Sequence, residues 1–253
     1  MQLTGAIQKL GRNDAKLIGR DSFLAGMFAY AILIAVAARF GIPWLATQIN
    51  GVAGLPEGFV FESAYPMVLA FLALFMGAMF AGMIFGFVLL DEKDDNTLKA
   101  MLVTPLPMSQ YLVYRVGVPL LIAVVLVVAQ VYIINLPATL LPLWQMILIS
   151  VSAALMAPIT ALFFAVFAAN KVQGFAMTKF TGVAGMIILV GWFVAEPAQW
   201  LLGFFPPFLV SKAYWLALEG RSMWIGVWAL SIVMQALVIW LLARRFTKVA
   251  YEV

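Results

Sequence analysis

The chain is predicted to be an all-α integral membrane protein built from six transmembrane helices, and three observations predict it. Of its 253 residues, 65% are hydrophobic and only 10% are charged, where a soluble domain carries about 25% charged residues. Apolar runs of roughly 20 residues, the length needed to cross a bilayer, recur from one end of the chain to the other. The few lysines and arginines gather between alternate runs rather than spreading along the chain, as sidedness in a membrane requires. Six spans and their short loops account for nearly all of the sequence, which reads as one membrane domain over residues 1–253 with no room for a soluble catalytic unit.

The first 21 residues form an arm. Leu3, Ile7, Leu10, Leu17 and Ile18 recur at mostly helical spacing with Lys9, Arg12, Lys16 and Arg20 between them. That pattern predicts an amphipathic helix lying on the membrane surface. The first span follows at about 23–44. It is expected to stay attached, because about 20 polar and basic residues precede it and no small-residue cleavage site follows. Further spans are predicted at about 66–90, 111–136, 143–169, 175–195 and 224–243.

Lys9, Arg12, Lys16, Arg20, Lys93, Lys99, Arg115, Lys171, Lys179, Arg244, Arg245 and Lys248, twelve of the 15 basic residues, fall on one side of this arrangement. Only Arg39, Lys212 and Arg221 fall on the other. Both termini are therefore predicted to be cytoplasmic, in a multi-pass protein of the cell membrane. The same charge pattern accounts for the basic balance without any nucleic-acid partner.

Between spans five and six, residues 200–218 are apolar enough to suggest a seventh crossing. Pro206 and Pro207 interrupt any helix there, and Lys212 would sit near mid-bilayer, so a broken re-entrant hairpin is predicted instead. Trp200, Tyr214, Trp215 and Trp224 are expected at headgroup level. Phe204, Phe205 and Phe208 flank the prolines and are candidates for an outer gate.

Several chemistries are excluded. The chain has no Cys and no His, which removes thiolate nucleophiles, imidazole metal ligands and Ser-His hydrolysis, so no catalytic or metal site is expected. No glycine-rich phosphate loop occurs, and ATP hydrolysis by this chain alone is not expected. Within the spans, Ala78, Gly82 and Gly86 recur every four residues and would admit a neighbouring helix at close range. Gln130, Asn135, Asn170 and Gln235 are the polar candidates for lining a pathway, and Arg39 and Glu196 are read as anchors at the outer ends.

The loop after the second span carries the most information. The chain turns polar at Asp91, Glu92, Asp94 and Asp95, offers Asp95, Asn96 or Thr97 as a cap, and places Leu98, Met101 and Leu102 on one side before Thr104-Pro105 ends the segment. This pattern predicts a short helix on the membrane surface with an apolar ridge, a lever joined to two spans.

The same residues resemble the permease subunits of type-2 ABC exporters. In that family the second span is followed by a Glu, then Gly or Asn with Thr-Leu, a Leu-rich turn and a Thr-Pro or Ser-Pro. Here Glu92, Asn96-Thr97-Leu98, Met101-Leu102-Val103 and Thr104-Pro105 stand in that order. The six spans, the amphipathic arm and the broken hairpin match the family's layout. Two departures are Asn96, where Gly is common, and the density of acids from Asp91 to Asp95.

The resemblance implies that the loop is a coupling helix, with Glu92 as polar anchor and Asn96, Thr97, Leu98, Met101, Leu102, Thr104 and Pro105 completing the contact with a separate ATP-binding-cassette subunit. It also implies a second permease chain, the same or different, and ATP with Mg held on the partner ATPase rather than here. Compact members commonly export drugs, antibiotics or lipids. Composition alone leaves two other readings open: an ATP-independent channel or ion-coupled carrier, and a membrane interaction subunit that transports nothing.

Overall fold

A computed structural model describes residues 3–50, 52, 60–95, 97 and 107–252, with side chains described from residue 10 to residue 250 of these. Among the described residues every regular element is helical. The arm is a helix, α1 (Leu3–Arg20). One residue separates it from α2 (Ser22–Ile49). That residue, Asp21, accepts hydrogen bonds from the backbone N–H groups of Phe23 at 2.9 Å and Leu24 at 3.3 Å. A carboxylate there satisfies donors that the first helical turn leaves without partners.

The second stretch runs without interruption from Phe61 to Asp94. It opens with a 3-10 turn, Phe61–Ala64, continues as α3 (Tyr65–Leu69), widens into a π-helical segment, Ala70–Met76, and closes as α4 (Gly77–Asp94). The helix extends a turn beyond the expected end near Leu90. Asp91, Glu92 and Asp94 therefore stand on helix rather than in a loop, because each finds a partner on a neighbouring element.

Next comes α5 (Met108–Ile134). It ends at Asn135, whose backbone is left-handed at φ 40°, while the Arg39 guanidinium donates to the Ile133 carbonyl at 3.0 Å. The fourth apolar stretch is two helices, α6 (Leu143–Ala154) and α7 (Met156–Phe167). Pro158 explains the break: its ring conflicts with the carbonyl four residues earlier, at Ala154. α8 (Lys171–Phe193) follows, and beyond it a 3-10 segment, Ala198–Phe204, leads into α9 (Pro206–Leu218) and α10 (Trp224–Glu252).

Among the described residues, six helical stretches are long and apolar enough to cross a membrane: Ser22–Ile49, Phe61–Asp94, Met108–Ile134, Leu143–Phe167, Lys171–Phe193 and Trp224–Ala250. The second and fourth form the centre, with 78% and 72% of their most apolar windows buried, against 17% for the sixth. Glycine makes this centre possible. A Cβ on Gly82 would lie 2.6 Å from the Ala157 carbonyl oxygen, and one on Gly86 would lie 3.0 Å from the Phe164 ring. The small-residue stripe thus brings α4 against α7 of the same chain, where dispersion contacts rather than water exclusion hold helices together in lipid.

The helix break expected at Pro206-Pro207 is present, with the two prolines occupying the first turn of α9. Of the aromatics expected at headgroup level, Tyr214, Trp215 and Trp224 are buried within the bundle and Trp200 is half-buried; Tyr214 and Trp215 are enclosed because α9 packs among α10, α6, α8 and the π-helical segment. Tyr214 donates its hydroxyl to the Thr139 carbonyl at 2.6 Å, and the Trp215 indole donates to the Pro66 carbonyl at 3.2 Å. Lys212, the residue that argued against a seventh crossing, is buried and paired with Glu196 and Gln199. Pairing removes most of the cost of holding an ammonium away from water.

Candidate functional site

At the root of the loop after the second span, three elements converge on one guanidinium. α5 presents Tyr111, Tyr114 and Arg115, which share a helical face by their spacing of three and four. α4 contributes Glu92 and α1 contributes Asp14. Arg115 is 1% exposed. Its Nη1 donates to Asp14 Oδ2 at 2.7 Å and its Nη2 to Glu92 Oε1. The Tyr114 hydroxyl donates to Asp14 at 2.6 Å and the Tyr111 hydroxyl to Glu92 Oε2 at 2.7 Å. Both tyrosine rings also lie beside the guanidinium, each with its centroid 5.2 Å from the Arg115 Cζ. Two carboxylates, two phenols and one permanently charged fork form a nearly closed hydrogen-bond network, in which only Arg115 Nε lacks an acceptor. Charge-assisted bonds of this kind are strong and directional, and they fix the relative placement of the three helices.

The neighbouring acids make a second junction. Lys171, the first residue of α8, places its ammonium 2.9 Å from Asp21 and 3.0 Å from Asp91, while its backbone N–H donates to Asp94 at 3.1 Å. The hydrogen bond from Lys171 is the largest influence holding the Asp21 carboxyl below its ordinary value, and the two backbone N–H groups that Asp21 caps add to it. Lys93 reaches across to the Ala168 carbonyl at 2.9 Å. Of the four acids crowded at the mouth of this loop, Asp91, Glu92 and Asp94 are committed to contacts within the chain. They tie the end of α4 to α1, the start of α2, α5 and α8. The arrangement has no nucleophile or acid-base pair poised for turnover. What it can do is carry a displacement of the loop into four helices at once.

The sequence-predicted site residues distribute as follows. Glu92 is turned inward onto Arg115 and Tyr111, and the Thr97 hydroxyl donates back to the Glu92 carbonyl at 3.0 Å. Asn96, Leu98, Met101, Leu102, Thr104 and Pro105 lie outside the described residues. The four pathway candidates are not gathered around one space. Gln130 donates to the Ala31 carbonyl at 2.7 Å and Gln235 to the Ser152 carbonyl at 2.9 Å, so each ties two spans together. Asn170 caps α8, accepting from the Gln173 N–H at 3.0 Å, and Asn135 ends α5 with an exposed side chain. Nor do the three candidate gate phenylalanines share a face: Phe204 is 70% exposed and Phe208 is fully buried, its ring lying where a Cβ on Gly191 would be 2.5 Å away. Among the described residues, no group of His, Cys, Asp or Glu could hold a metal ion.

Arg115, Asp14, Tyr111, Tyr114 and Lys171 are the residues that sequence reasoning passed over as topological charges or ordinary span residues. One signal pointed to them. Asp14 is the single acid in α1, whose other charged residues are basic.

The network includes Glu92, the first residue of the motif that carries the exporter resemblance, and sequence comparison reaches the same region from the whole chain. A family described as Fluoroquinolones export permease protein Rv2686c-like matches residues 14–243. The chain belongs to this family. Two relatives, the fluoroquinolones export permease proteins MT2760 and Rv2686c of two Mycobacterium tuberculosis strains, CDC 1551 / Oshkosh and H37Rv, are each 29% identical over 248 residues, covering 95% of this chain and 94% of theirs. No solved structure matches. The family match starts at Asp14 and so takes in every member of the Arg115 network. As a family member with six candidate spans, the chain is a multi-pass membrane protein and an export permease homologue.

Proposed function

We propose that this chain is the membrane-spanning subunit of an ATP-driven exporter, moving a hydrophobic or amphiphilic compound outward, with a fluoroquinolone-like drug as the first candidate. ATP is hydrolysed with Mg on a separate ABC ATPase, which docks on a coupling helix formed by residues Asn96 to Pro105. Both termini and this loop face the cytoplasm, residues 198–218 form a hairpin entering from the outer side, and a second permease chain completes the path. The observation that carries the reading is the rooting of the loop: the last turn of α4, which leads into it, is bonded to α5 through Arg115 and to α8 through Lys171, and Arg115 joins it to Asp14 of α1. A push on such a root biases the whole bundle between two arrangements, and the ATPase does work through its different affinity for them.

The test is co-purification of an ATPase with this chain and ATP-dependent drug transport by the complex. Leu98→Asp and Met101→Asp should abolish ATPase retention and transport together. Unchanged retention and transport in both variants would rule out the coupling assignment. Gradient-driven flux by the purified chain without any ATPase would instead establish the carrier reading.

A further inference from the structure

The basic residues that close the last span stand on a face of α10 that continues an exposed apolar stripe. Val233, Leu237, Trp240 and Leu241 are 65%, 54%, 47% and 52% exposed, and Arg244, Arg245 and Lys248 follow at the same three- and four-residue spacing. At 3.6 residues per turn these positions stack along one side of the helix.

The two arginines are held in place by rings. The Arg244 guanidinium lies 3.7 Å from the centroid of Trp240, and that of Arg245 lies 4.9 Å from Phe167 at the end of α7. Stacking covers a guanidinium's face and leaves its N–H edge free to fork onto an anion. Among the described side chains, which end at residue 250, no carboxylate lies within ion-pair distance of Arg244, Arg245 or Lys248. The other arginines with a clustered role, Arg115 and Arg221, both have carboxylate partners. A groove of about 760 Å³ runs along this part of α10, lined by Leu241, Arg244, Arg245, Thr247, Lys248 and Val249.

We propose that this groove binds an anionic phospholipid, its phosphodiester held by Arg244, Arg245 and Lys248 and an acyl chain lying along Leu241, Leu237 and Val233. The occupant follows from the continuity of the face. A free phosphate would use only the cationic half, and an apolar ligand would leave three positive charges unmatched. A molecule with one negative head and a long hydrocarbon tail matches both halves, and a protein that crosses a membrane is always beside it. Trp240 sits where the halves meet, beneath one guanidinium and against the first methylenes. The site is independent of what the chain transports.

Trp240 also supplies the readout. The full-length purified chain would be titrated with brominated phosphatidylglycerol and brominated phosphatidylcholine of identical chains while tryptophan fluorescence is followed, with Trp240→Phe identifying the share that belongs to this position. The expected result is quenching of the Trp240 share at about tenfold lower concentration of the anionic lipid, a modest fraction of what three surface basic residues can provide. The preference should disappear in R244Q/R245Q. Equal quenching by both headgroups in the wild-type chain overturns the site without reference to any variant, as does a preference that R244Q/R245Q leaves intact. Abolition of the preference by millimolar inorganic phosphate, at an ionic strength matched with chloride, would show a site for the ion alone and overturn the lipid assignment.

Discussion

The two ends of α8 are held by ions in different ways. At its start, Lys171 and the nearby Arg115 network join residues far apart in sequence: Arg115 pairs with Asp14, 101 positions away, and Lys171 with Asp21, 150 positions away. Beyond its other end, the ion pairs of Lys212, Glu196, Arg221 and Glu219 all link residues no more than 25 positions apart, and they close a single connection. There the distant contacts are made by Tyr214, Trp215 and Trp228 donating to backbone carbonyls. The comparison teaches where motion can be passed between helices. Charges at the loop end couple separate spans; charges at the hairpin end stiffen the single connection between two consecutive spans.

The strongest way to break that contrast is to remove the central guanidinium. Arg115→Leu leaves Asp14 and Glu92 buried without a counter-charge, and stability should fall by about 3–5 kcal/mol, seen as a lower melting temperature and poor recovery of the purified chain. A loss no larger than that of an exposed substitution would mean that the network does not hold the three helices. Lys212→Met should cost far less. Its partner Glu196 is 39% exposed and keeps Arg221 beside it, so a melting-temperature drop well under half that of Arg115→Leu is expected; an equal drop would erase the distinction between the ends.

The smallest effect sharpens the picture at Asp21. Its carboxyl is held below its ordinary value of 3.8, chiefly by the hydrogen bond from Lys171. The stabilisation is therefore present above about pH 3.8 and is lost as pH falls through the lower, folded-state value. Asp21→Asn preserves the helix cap while removing the charge. Thermal melts should show the wild type ahead of this variant by less than about 1 kcal/mol at pH 6, a partly exposed pair being screened. The gap should narrow as pH falls below 3.8, and a gap that widened would reverse the sign assigned here.

Much of the architecture was legible because long apolar runs and prolines leave local marks. The six candidate spans, the helical arm and the break at Pro206-Pro207 all came from such marks. The loop-root network left almost none. Arg115 reads as one more basic residue near a span end, and nothing local links it to an acid 101 positions earlier. Asp91, Glu92 and Asp94 read as loop because acids commonly end spans; partners on two other elements, α5 and α8, keep them helical. The buried state of Tyr214 and Trp215 was hidden for a similar reason, since an aromatic residue near a span end suits a headgroup layer and a packed interior equally well until its acceptor is known. Asn170 and Asn135 were picked for polarity, and polarity at helix ends is as readily explained by capping.

The π-helical segment in the second stretch has a consequence for rotational phase. On an uninterrupted helix of 3.6 residues per turn, Phe75, Gly82 and Gly86 would share one compass heading. In this molecule Phe75 is directed toward Gly185 of α8, while Gly82 and Gly86 are directed toward Ala157 and Phe164 of α7. A wider turn holds more residues per revolution and resets the heading of everything after it. One continuous rod thus presents large rings to one neighbour and bare backbone to another, and the wider turn shifts the heading of both relative to the start of α3 at Tyr65.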